Sequence, residues 1–179
     1  MSRVKYRIYH VYFMALEQAL LTWVHITSAA IWVGGSLFIG VVFAPILKKM
    51  SLSLQERLQL MIKVGRRFNK VAIPSLIILI ATGLYQAHLV LQKSDILYET
   101  GYGNVLIVKM VLVVALIITY AIHVRIIRKD VEDQIMTNKI SEIQLQKLRK
   151  KIIILGEITV VLSVIILFLA ALLNSGGEI

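Results

Sequence analysis

WVHITSAAIWVGGSLFIG, residues 23–40, is apolar enough to enter a bilayer, yet it carries a histidine, two tryptophans and a paired glycine. A protonatable ring is costly in hydrocarbon unless it has a partner, so His25 marks a candidate functional site. At 100° per residue, Ala29, Trp32, Ser36 and Ile39 fall within about 40° of His25 on one helical face. Small residues on that face, with Gly34 and Gly35 beside it, would let a neighbouring helix, a metal or a flat macrocycle approach the backbone. The plainer alternative is that His25 hydrogen-bonds an adjacent helix and fixes packing.

Working outward, three further apolar runs follow the first. The expected spans are residues 19–47, 71–91, 104–127 and 152–173, each near or above the ~20 residues that cross a ~30 Å hydrocarbon core. The 179-residue chain is 58% hydrophobic with a mean hydropathy of +0.80. Soluble domains run about 45–50% apolar, so the excess must face lipid. The expected fold is all-α: an antiparallel four-helix integral membrane bundle forming a single membrane domain over residues 1–179. The basic start MSRVKYRIYH leads into an apolar run far longer than a signal core, which reads as an uncleaved first span with Tyr6 and Tyr9 at the interface.

Cysteine is absent, which excludes disulfides, thiolate metal sites and covalent haem attachment of the C-x-x-C-H kind. The net charge of +10 flanks membrane spans, so it speaks for topology and not for nucleic acid. The connectors at 48–70 and 125–151 hold seven and eight Lys/Arg, whereas the N-terminus and the connector at 92–103 hold three and one. The bias places the two basic connectors in the cytosol and both termini outside a cell (plasma) membrane. Within the first connector, Ser53-x-x-Glu56 matches a capping box, and Leu54, Leu58, Met61 and Ile62 recur at helical spacing. A short amphipathic helix lying along the interface is expected there, followed by a second span with Pro74 in its first turn. Ile140, Ile143 and Leu148 suggest another such helix in the third connector. Gly101 and Gly103 read as the turn between spans two and three.

Depth then sorts the buried polar groups into layers. His25, His88 and Lys109 fall near the outer face, while His123 and Glu157 fall near the inner one. Lys109, Tyr120 and His123 share a face of span three, with Leu116 between them. Two imidazoles on separate helices suit a b-type haem or a copper ion, so His25 and His88 are the expected ligand pair, with His123 as the alternative ligand. Lys109 would neutralise a haem propionate or bound anion, or extend its amine outward. No catalytic triad, phosphate loop or dinucleotide fingerprint occurs, so no catalytic residue is expected.

The segments HITSAAIWVGG, RRFNK, LIATGLYQAHLVL, GYGNVLIVKMVLV and LRKKIIILGE, in that order, resemble the copper-resistance-D (CopD-type) four-helix membrane domain. The resemblance implies copper transport or delivery at a cell membrane. It gives weight to His25, Trp32, Gly34, Gly35, Arg67, Phe68, Gly83, Gly103, Lys109 and Glu157. More distantly, the His25…Trp32…Gly35…Pro45 pattern and VKMVLVVALIITYAIH are similar to the haem-b-containing HemJ-type membrane family. That likeness implies porphyrinogen or quinol oxidation or electron transfer, with His25, Lys109 and His123 carrying it. A structural subunit of a larger membrane complex is the third reading, and the expected partners besides the lipid bilayer are further copies in a homo-oligomer or a larger membrane complex.

Overall fold

In the computed structural model, residues 2–92, 97–98, 100–137 and 140–176 are described. Lys93 and Lys139, counted above in the connectors, lie outside them, as do the side chains of Tyr6 and Tyr9. The secondary structure among the described residues is helical throughout, and four helices are long and apolar enough to cross a bilayer.

The first rod, α1, runs from residue 2 to 49 without interruption, but not with one pitch. Regular helix over Ser2–Ala29 opens into wide π turns at Ala30–Gly34 and Phe38–Phe43, separated by Gly35–Leu37, and tightens again over Ala44–Lys49. Residues 2–18 are therefore part of the rod. Pro45 lies just past the second wide turn, where its missing N–H withdraws a donor from the ladder. Each wide turn takes up about one extra residue, which sets everything after it back by ~100°.

After residues 50–53 the chain returns as α2, Leu54–Leu91, one unbroken helix. The capping box forms as read: the Ser53 N–H and hydroxyl donate to Glu56 Oε2 at 2.8 and 2.7 Å, and the Glu56 N–H donates to Ser53 Oγ at 3.3 Å. The expected interfacial helix and the second span are thus the same element. Nothing between Leu54 and Ile73 stops a helix, so the box starts one that runs on into the bilayer. Pro74 accordingly lies well inside α2 and not in its first turn. Beside it, the Ser75 hydroxyl donates to the Val71 carbonyl at 2.9 Å.

The third span, α3, is Gly101–Ile126, capped by Thr100 Oγ1, which accepts from the Gly103 N–H at 3.1 Å. Gly101 and Gly103 therefore open the helix and do not form a separate turn. A short helix, α4, follows at Lys129–Met136, and α5 spans Glu142–Asn174 from a second capping box at Ser141 and Gln144. The amphipathic segment expected around Ile143 and Leu148 is the first part of α5, and the separate short helix lies earlier, in KDVEDQIM.

The helices pack as two antiparallel hairpins, α1 with α2 and α3 with α5. Two cores result. Between the spans, Trp32, Ala72, Leu116 and Tyr120 are buried together. At the basic end, Leu58 and Ile62 of α2 meet Ile127, Ile135 of α4, and Leu145 and Ile152 of α5. The amphipathic faces expected to lie on lipid headgroups thus pack against one another as a helical cap. Arg66 and buried Glu132 (2.8 Å) and the Gln55 amide donating to the Ile135 carbonyl (2.6 Å) tie α4 to α2.

Candidate functional site

The polar groups of the spans occupy three levels. At the end away from the cap, His25 on α1 sits half-buried against α2. Thr82 Oγ1 donates to the Ile78 carbonyl at 2.6 Å, so its proton is committed. The 2.6 Å contact between His25 Nδ1 and Thr82 Oγ1 is then imidazole N–H donating to hydroxyl. That fixes the tautomer and leaves Nε2 with its lone pair free for a ligand. Gly83 faces the same ring: a Cβ there would lie 3.5 Å from His25 Cε1. Lys109 stands on α3, about two turns in from its Thr100 cap.

His88 is at similar depth but turned aside. It follows Thr82 by six positions, about 120° round α2 at 100° per residue. It is exposed, with its Nε2 3.2 Å from Gln92 Nε2. The structure thus does not bring His88 to His25, since depth alone leaves out the rotation about the helix axis.

The middle level ties all four spans. Trp32, 2% exposed, donates its indole N–H to Ser163 Oγ on α5 at 2.9 Å. The Ser163 hydroxyl in turn donates to the Thr159 carbonyl at 2.7 Å. The Trp32 and Tyr120 rings meet edge to face with centroids 4.6 Å apart, and the Tyr120 hydroxyl donates to buried Asn69 Oδ1 on α2 at 2.8 Å. Asn69 and Ser163 were missed as site residues. Asn69 was legible only as part of the charged RRFNK segment, and Ser163 only as a lone hydroxyl in a span of aliphatics. Gly35 supports this level from α1. Any Cβ there would drive into the ring of Phe68, so glycine is required by close approach, whereas Gly34 has nothing within 4 Å of where a Cβ would go.

The third level is a cavity of about 270 Å³ just short of the cap, open to all four spans. Its walls include Ile39, Gly40, Phe68, Ile127, Ile152 and Val160. Into it come His123 and Tyr120 from α3, Met61 and Asn69 from α2, and Glu157 from α5. His123 Nδ1 is buried without a hydrogen-bond partner, and Glu157, exposed as a residue, stands at the rim. The expected His123 and Glu157 layer is therefore one cavity. Arg67 is exposed on α2. Among the described residues, no three of His, Cys, Asp and Glu gather in a cluster suited to a metal.

The model of the copper resistance protein D family matches residues 62–173. The chain belongs to the CopD family. The Bacillus subtilis (strain 168) copper transport protein CutJ is 32% identical over 110 residues, 62% of this chain and 19% of that protein. The matched segment thus spans about a fifth of the length of that curated relative. No solved structure matches the chain. Together with the four spans, the family makes this CopD-type chain a copper-related multi-pass membrane protein.

Proposed function

We propose that this CopD-type chain passes copper through the cell membrane, with His25 receiving the ion at the level away from the cap. The family match over residues 62–173 carries the proposal. The name of its relative, a copper transport protein, supports passage over storage. The His25 tautomer supports the assignment of the receiving group, because an imidazole pinned through Nδ1–H offers Nε2 in a fixed direction. The charge distribution supports a topology with the basic cap in the cytosol and both termini outside, which makes the His25 level the extracytoplasmic one.

The test is copper flux into vesicles reconstituted with the purified full chain, run beside empty vesicles. Wild type should raise copper entry at least several-fold, and His25→Ala should lower that gain about 10-fold, the scale on which losing a ligand or its orienting partner acts. Flux equal to empty vesicles would overturn transport. A Soret band in the purified protein would turn the reading toward the haem alternative.

A further inference from the structure

We infer that the cavity beneath the cap is a binding site for monovalent copper, held by His123 Nδ1 and the Met61 thioether, with the Glu157 carboxylate closing the coordination from the rim. The inference rests on the copper reading above and adds a second station to it, on the far side of the Trp32 level from His25.

Three observations converge on this cavity. First, His123 Nδ1 is buried and has no hydrogen-bond partner. A buried polar atom left unpaired costs about 1–3 kcal/mol, so it calls for a partner that the protein itself does not supply. The neighbouring polar groups do not meet that need, because the Tyr120 hydroxyl is already committed to Asn69 Oδ1. Second, the space is sufficient. About 270 Å³ is far more than one ion occupies, and it reaches donors from three different helices. Third, the donor set is selective. Imidazole nitrogen with thioether sulfur is a soft pair that suits Cu(I), whereas Mg, Ca and Mn prefer all-oxygen sites.

Charge decides the oxidation state. The cost of moving an ion into a low-dielectric space rises with the square of its charge, so a divalent ion costs roughly four times a monovalent one of similar size. Cu(I) with one carboxylate and two neutral donors is net neutral. Cu(II) in the same shell carries an uncompensated positive charge among isoleucines. The position also suits passage: His123 and Glu157 lie against the basic cap, so an ion released there leaves toward the cap end.

The experiment is anaerobic Cu(I) titration of the purified full chain against a chromophoric Cu(I) chelator, with X-ray absorption at the copper edge. Wild type should show sulfur and nitrogen scatterers. Met61→Leu keeps the side-chain volume and removes only the sulfur. It should lose the sulfur scatterer and weaken Cu(I) binding at least 10-fold, with the thermal midpoint unchanged. His123→Ala should weaken binding comparably, and Glu157→Gln by less. Wild-type affinity and an unchanged sulfur signal in Met61→Leu would overturn the site while leaving copper flux and the His25 station intact. A wild-type chain that neither binds Cu(I) nor carries copper would overturn the transport reading along with it.

Discussion

The core between the spans and the core of the cap are built from the same helices but held together differently. Trp32, Ser163, Tyr120 and Asn69 join the spans by named hydrogen bonds and one edge-to-face ring pair. Leu58, Ile62, Ile127, Ile135, Leu145 and Ile152 fill the core of the cap with aliphatic side chains, and the Arg66–Glu132 ion pair and the Gln55 amide lie beside them. The difference follows the solvent. Lipid tails are as apolar as leucine, so burying leucine between spans gains little, and helices there associate through shape and polar bonds. Where the chain reaches water at its basic end, apolar burial is again worth about 25 cal/mol per Å². Each core uses the force its surroundings leave available.

The largest effect expected in breaking this comparison is at Trp32. Trp32→Ala removes the ring against Tyr120 and leaves Ser163 without its donor, a loss of about 3–5 kcal/mol on the scale of buried large-to-small changes. Unfolding in mixed micelles should report it, and a wild-type midpoint would show that the middle level contributes no stability. Leu58→Ala, at a position 0% exposed, should cost about 2–4 kcal/mol. That loss should appear in the cap, as faster amide exchange at Ile135 and Leu145 with the Trp32 environment unchanged. A variant that loosened both regions together would show the two cores to be one cooperative unit.

Gly35→Ala tests close approach, because its Cβ meets the Phe68 ring. It should destabilise by about 1–3 kcal/mol, as overpacking does, and Phe68→Leu in the same chain should recover part of the loss. Gly34→Ala, facing open space, should change stability by less than about 0.5 kcal/mol. Equal effects at the two glycines would remove the distinction. Between those two glycine effects falls the start of α5, where Ser141→Ala should cost about 1 kcal/mol by removing the hydroxyl of a capping box. It should be read as fraying at the start of α5 while Trp32 fluorescence holds.

The spans were legible because lipid imposes one requirement, some twenty apolar residues, that sequence displays directly. Both capping boxes, at Ser53 and Ser141, also have a local signature, although only the first was read. What sequence could not display was where a helix continues. Charge in 48–70 suggested a connector throughout, but the break is confined to residues 50–53, and α2 runs from Leu54 through the remaining charges and through Pro74. The wide turns at Ala30–Gly34 and Phe38–Phe43 have no sequence signal of their own, and they spoil any fixed-angle wheel drawn through α1. Within the candidate site, the shared level of His123 with Glu157 was readable from depth. His88 was misjudged for partnership because rotation about α2 matters as much as depth. Asn69 and Ser163 matter through partners 51 and 131 residues away, a relation that only the folded chain makes visible.

The hairpin arrangement has a consequence for how the chain is made. Contacts of the first hairpin, Gly35 with Phe68 and His25 with Thr82, lie wholly within residues made before α3 and α5. That hairpin can be threaded into the bilayer and closed while α5 is still unsynthesised. Trp32 must then wait, its indole N–H without an acceptor, until Ser163 of α5 has been made. One late bond thus marks the joining of the two hairpins, and a membrane quality-control factor that reads unpaired polar groups would find its signal there.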